Sequence, residues 1–104
     1  MTTYGPRHAR RTDDNHSETT RALRDVPGVY VQDVSRAGGL GFDLIVSYQD
    51  SPPHLVEIKR PKDPAPLSPS EQRARAHWGK WWIVATSAVD VLERIGAIEN
   101  QETQ

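Results

Sequence analysis

Two short apolar runs, each carrying charge, constrain this chain more than any other feature. Gly41-Phe42-Asp43-Leu44-Ile45-Val46 is followed, after the turn Gln49-Asp50-Ser51-Pro52-Pro53, by His54-Leu55-Val56-Glu57-Ile58-Lys59. Both runs read as β-strands, and strand side chains alternate between faces. Asp43, Ile45 and Ser47 therefore share one face, as do Leu55, Glu57 and Lys59. Leu44, Val46, Tyr48, Val56 and Ile58 take the other. A hairpin centred on Ser51 sets Asp43 opposite Lys59 with Glu57 on the diagonal, within the roughly 5–8 Å of same-face cross-strand neighbours. Gathering carboxylates and an ammonium in a sheet is costly unless the cluster has a task.

Bulk composition narrows that task. The chain has 104 residues, which suits one domain with one modest core. Thirteen Lys and Arg against 14 Asp and Glu give a net charge of -1, which argues against a generic polycation coating nucleic acid. The sign is uneven, however: between His54 and Lys80 the bases Lys59, Arg60, Lys62, Arg73, Arg75 and Lys80 outnumber Glu57, Asp63 and Glu71. No cysteine is present, which excludes disulfides, Cys-ligated zinc and thiol catalysis. No apolar h-region follows the N-terminus, and no run approaches the roughly 20 apolar residues of a membrane helix. The expectation is a cytoplasmic protein of a bacterial or phage-infected cell, neither secreted nor membrane-bound.

Local signals predict the order α-β-β-β-α-β-α, an α/β arrangement. Residues 1–11, with Arg7, His8, Arg10 and Arg11, read as a flexible basic segment, 12–96 as the folded domain and 97–104 as a polar tail. Thr12 caps a predicted helix over 13–25, with Asp13 and Asp14 favourable in its first turn and Pro27-Gly28 ending it. Val29–Val34 is β-branched and aromatic, hence a strand. Glycines 38, 39 and 41 lead into a second strand over 41–48, and a third spans 54–59. Three prolines between Arg60 and Pro66 forbid regular structure there. Ser68, Pro69 and Glu71 form a capping box with proline at N1, opening a helix to about Gly79. Trp81–Thr86 is a fourth strand, and Ser87-Ala88-Val89-Asp90 opens a short helix ending at Gly96.

The charged trio suits one chemistry in particular: holding a divalent metal against a phosphodiester. Magnesium takes oxygen ligands in octahedral geometry, few of them from protein. Asp43, Glu57 and the backbone carbonyl of Ile58 would leave positions for water and phosphate. Such a metal neutralises phosphate charge and lowers the pKa of a bound water. Lys59 would position that water or stabilise charge in the transition state.

Asp43 followed by Glu57-Ile58-Lys59 resembles the signature of the PD-(D/E)XK nuclease superfamily, with Phe42 where the eponymous proline often stands. Leu67-Ser68-Pro69-Ser70-Glu71-Gln72 resembles the LTPxQ-type segment of its virus-type replication–repair nuclease branch (VRR-NUC) and of Holliday-junction-resolvase-like relatives. The resemblance covers about residues 12–96. It implies a restriction-endonuclease-like core, αβββαβ with a mixed central sheet and a short C-terminal helix. It also implies an Mg²⁺-dependent deoxyribonuclease (Mn²⁺ substituting), with Glu18, Asp43 and Glu57 as metal ligands, Lys59 as catalytic lysine and Gln72 hydrogen-bonding toward the site or the phosphate. A chain this short would select DNA by structure, at a junction, flap, nick or end, or take specificity from a protein partner. A homodimer fits the need for two sites to cut two strands.

Plainer readings stand beside these. Asp43 and Glu57 could be surface carboxylates paired with Lys59, worth little energetically. Glu18 is equally a ligand or a solvated helix charge. Ser35, Arg36, Arg60, Lys62 and Arg73 are candidate nucleic-acid contacts, yet Arg60 and Lys62 equally suit a solvated loop. His16, His54 and His77 match no zinc-ligand spacing. Trp78, Trp81 and Trp82 could stack on bases, although a helix–strand junction favours the core for some of them. The rival functions are a non-catalytic nucleic-acid-binding module and a protein-interaction module on the same fold.

Overall fold

The structure, a computed structural model, describes residues 13–62 and 66–99. The basic segment 1–11, the Thr12 cap and the tail beyond 99 lie outside the described residues. Seven regular elements follow the expected order: α1 (Asp13–Arg24), β1 (Val29–Asp33), β2 (Leu44–Tyr48), β3 (His54–Ile58), α2 (Pro69–Trp78), β4 (Trp82–Ala85) and α3 (Ala88–Arg94). Single turns of 3-10 helix occupy Ser35–Ala37 and Gly79–Trp81. The four strands form one mixed sheet in the order β1-β2-β3-β4, antiparallel except for the parallel β3–β4 pair. The parallel step requires a crossover, and α2 supplies it.

Both faces of the sheet are covered. Leu44, Val46, Val56, Ile83 and Ala85 pack on one face against Leu23 of α1 and Val91 and Leu92 of α3. On the other face Leu55 and Trp82 pack against Ala74 of α2, with Phe42, Ile45, Leu67 and Val84 around them. Each fully enclosed aliphatic side chain, such as Leu23 or Leu44, contributes about 1.5–3 kcal/mol. With both faces covered, Glu57 lies beneath α2 and is only 8 % exposed, which sets aside the plainer reading of it as a surface carboxylate.

The hairpin register differs from the expected one. Leu44 pairs with Val56, Ile45 with Leu55 and Val46 with His54, so the hairpin is centred on Asp50 rather than Ser51. The turn closes early because Ser51 N–H bonds the Tyr48 carbonyl (3.0 Å), with Gln49 at φ 56°. This slides β3 by two residues along β2 and sets Asp43 level with Glu57 instead of Lys59. A one-residue slip would reverse every face; a two-residue slip preserves them. Regular β2 also begins later than expected. Ahead of it, Gly41 takes φ +86° because its Cα passes tightly over α2: an added Cβ would lie 2.8 Å from the Ala74 Cβ and against the Ser70 carbonyl. Trp82 Nε1 donates to the Gly41 carbonyl (2.8 Å) and locks that approach.

Candidate catalytic site

The strand directions bring the ends of β1, β3 and β4 and the start of β2 to one edge of the sheet. Charged side chains collect there. Asp43 is tied in on three sides: its N–H donates to the Val56 carbonyl (2.8 Å), its carbonyl accepts from Val34 N–H (2.9 Å), and its Oδ2 accepts from Ile58 N–H (2.9 Å). Lys59 Nζ lies 3.6 Å from Glu57 Oε2 and 3.0 Å from Glu71 Oε1, and all three side chains are largely enclosed. Asn15 of α1 braces the same edge, its Nδ2 donating to the carbonyls of Lys59 (3.1 Å) and Thr86 (3.3 Å).

Glu71 owes its position to the helix start. Ser68 Oγ accepts from Glu71 N–H (3.2 Å), and Ser68 N–H donates back to Glu71 Oε1 (3.0 Å), completing the capping box. That same Oε1 also accepts from Lys59. One carboxylate therefore caps α2 and holds the lysine of β3.

The electrostatics of this edge are unbalanced. Three carboxyls, Asp43, Glu57 and Glu71, face one ammonium, Lys59. Burial pushes the Glu57 carboxyl up to about 9. A hydrogen bond to Glu71 and the charges of Asp43 and Glu71 add to the rise, and Lys59 offsets only part of it. Glu57 is thus protonated near neutrality and donates to Glu71. Burial acts on Glu71 too, but hydrogen bonds from Glu57, Ser68 N–H and Lys59 carry it below its ordinary value. Asp43 is raised by burial, against the Ile58 N–H bond and the charge of His16, with Glu71 and Asp33 adding to the rise.

A second polar group lies beside the first. His16 Nε2 is 3.2 Å from Asp33 Oδ2, while Asp33 Oδ1 accepts from Ser35 N–H (2.9 Å) and Ser35 Oγ (2.7 Å). Burial raises the Asp33 carboxyl, but the bonds from Ser35 and His16 outweigh it and hold the group below its ordinary value.

The expected site residues divide accordingly. Asp43, Glu57 and Lys59 come together on one face at one edge. Glu18 is exposed on α1, and the α1 residue whose charge reaches Asp43 is His16. Gln72 is exposed and turns away from the site: its Nε2 donates to the Leu67 carbonyl (3.0 Å). Glu71 takes the place expected of it, because Glu71 and Ala74, three apart, share the helix face packed on the sheet while Gln72 is rotated off it. Ser35, Arg36, Arg60, Lys62 and Arg73 are all exposed, the first four adjoining the ends of β1 and β3. Asn15, Asp33 and Glu71 were not expected at the site; for Glu71 the signal was present in its three-residue spacing from Ala74.

Among the described residues no group of three or more His, Cys, Asp or Glu side chains is placed to hold a metal ion, and no helix is long and apolar enough to cross a membrane. No family model matches the chain, and no curated protein or solved structure matches it.

Proposed function

We propose that this chain is a metal-dependent nuclease acting on DNA, of the PD-(D/E)XK kind, its α/β fold a small restriction-endonuclease-like core. The observation that carries this reading is the meeting of Asp43, Glu57 and Lys59 at one sheet edge, where three carboxyls face a single ammonium. Hard oxygens in negative excess suit Mg²⁺ or Mn²⁺, and Glu57, which burial above all keeps protonated, would release its proton on binding the ion. Asp43 and Glu57, with the Ile58 carbonyl, would hold the ion, and phosphate and water would complete its shell. Bound there, the ion would neutralise phosphate charge and supply an acidified water.

The protein's own groups have distinct tasks. Ile58 N–H fixes the Asp43 carboxylate by one oxygen. Glu71 holds the Lys59 ammonium beside Glu57, where it can stabilise negative charge developing on the phosphate. Arg36, Arg60 and Lys62, exposed next to that edge, suit contacts with the flanking phosphates.

The test is incubation of the purified protein with branched and linear DNA in Mg²⁺, in Mn²⁺ and in EDTA. Cleavage should require the metal and fall by about a hundredfold or more in Lys59→Ala and Asp43→Asn. Equal cutting by wild type and both variants overturns the assignment. DNA binding with no metal uptake in calorimetry would leave a non-catalytic binding module.

A further inference from the structure

Among the described residues, one outer margin of the sheet is left unpaired. Among the described residues β4 is an edge strand, bonded only to β3. Lys59 N–H donates to the Ala85 carbonyl (2.9 Å), so the polar groups of Ala85 and, by alternation, Ile83 point toward β3. Those of Val84 and the Trp82 carbonyl point outward. Two neighbouring outward groups are already engaged: Trp82 N–H bonds the Gly79 carbonyl, and Thr86 N–H bonds Asp90 Oδ2 (3.1 Å). Among the described residues nothing bonds the Trp82 carbonyl or the N–H and C=O of Val84. Together they make a short template for one added strand.

A groove of about 400 Å³ runs along this margin, with Leu67, Trp82, Ile83 and Val84 as its apolar lining and Arg75 and Arg94 as its charged one. The Arg75 guanidinium has no partner among the described residues. Arg94 Nε pairs with Asp90 (3.3 Å) and its side chain is 47 % exposed. Two features decide the occupant. Unpaired backbone groups on an apolar floor select an extended polypeptide, adding a strand as in β-augmentation. Two arginines flanking it select acidic side chains, and they oppose a second copy of this chain, since two-fold pairing of β4 with itself would bring four arginines together.

We propose that the β4 margin is a docking site for a short, extended, acidic segment of a partner protein. The segment bonds Trp82 C=O and Val84 N–H and C=O through its main chain, seats an aliphatic side chain between Leu67 and Val84, and places carboxylates against Arg75 and Arg94. The site is independent of the nuclease reading and engages without metal.

The experiment uses the full chain in EDTA and a blocked heptapeptide of glutamates around one central valine, so that carboxylates lie on both faces of the added strand. Controls are its lysine–valine counterpart and a version with proline at the central position. The acidic peptide should bind, and the other two should bind at least about tenfold more weakly. Amide exchange at Val84 should slow on binding, while Gly38 in the distant loop stays unchanged. Arg75→Glu, at an exposed position, should weaken binding about tenfold or more with an unchanged thermal melt, and Arg75→Lys should restore most of the binding. Equal binding of the lysine peptide, unchanged Val84 exchange, or a concentration-dependent dimer that protects Val84 overturns the proposal. So does an oligodeoxynucleotide that competes the peptide off in wild type but not in Arg75→Glu.

Discussion

Glu57 makes the stability of this protein fall as pH rises, and the size of the effect follows from where that carboxyl sits. Its ordinary value is about 4.5, and in the folded chain burial and its acidic neighbours raise it to about 9. Between those two values the folded state keeps a proton that the unfolded state releases. Each pH unit in that window therefore costs about 1.4 kcal/mol of folding free energy. The stabilisation is complete below 4.5, declines across the window and is lost above about 9. From pH 4.5 to 7 the decline is about 3 kcal/mol, and from pH 7 to 9 about 2 kcal/mol more, because the slope flattens near the folded value. Against a typical domain stability of about 5–15 kcal/mol this is readily measured.

Urea unfolding followed by tryptophan fluorescence at pH 7, 8 and 9 isolates the effect. Three other groups, His54, Glu71 and Asp33, move in the opposite direction, but at lower pH. The His54 ring is lowered by burial, so its contribution grows as pH climbs toward its ordinary value of 6.5 and is constant above pH 7. Glu71, lowered on balance, contributes above its ordinary value and loses that contribution only in acid. Glu57→Gln replaces the neutral carboxyl with an amide that can still donate to Glu71, so the variant should be nearly flat from pH 7 to 9. It should also exceed wild type by about 2 kcal/mol or more at pH 9. Glu71→Gln removes the like charge and should reduce the slope without abolishing it. Parallel wild-type and Glu57→Gln profiles would refute the reasoning, because they would mean that Glu57 ionises in the folded chain as easily as in the unfolded one.

Three further outcomes test the frame around the site. Gly41→Ala should lower stability by about 2–4 kcal/mol in thermal melts, because φ +86° disfavours a side chain and the new Cβ meets the Ser70 carbonyl and Ala74. Trp82→Phe leaves the Gly41 carbonyl without its buried donor and should cost about 1–3 kcal/mol by urea denaturation, with the indole bond the main loss. Asn15→Ala frees the carbonyls of Lys59 and Thr86 and should speed amide exchange at the ends of β3 and β4 selectively, at a stability cost of about 1–2 kcal/mol.

The seven elements were legible because each carries its own local chemistry. The Ser68–Glu71 capping box, the β-branched run at Val29 and the glycine and proline breaks act within a few residues. What escaped depends on reach or closure. The register of β2 on β3 turns on whether the hairpin closes at Asp50 or Ser51, and no side-chain pattern separates two registers that differ by an even number and share the same faces. The burial of Glu57 depends on α2 lying across the face that its strand alternation left looking exposed. Asn15 spans to carbonyls 44 and 71 residues away, a bond that no local signal encodes. His16 and Asp33 meet because α1 lies along β1, so a pair that looks accidental in sequence becomes a fixed contact.

Glu71 shows most directly why one residue of displacement matters. A capping box demands an acceptor at N3, and N3 of a helix packed by its Ala74 face looks toward the sheet. Glutamine there could return the cap bond but would bring no charge to Lys59. Glutamate brings both, and its negative charge then helps keep the proton on Glu57. Capping α2, orienting Lys59 and setting the ionisation of Glu57 are thus coupled through one carboxylate. A change at Ser68, remote from any charged group in sequence, should be felt at Lys59 through the shared Oε1. The helix start and the charged edge form one structural unit, and the chemistry of the edge depends on the cap that holds it.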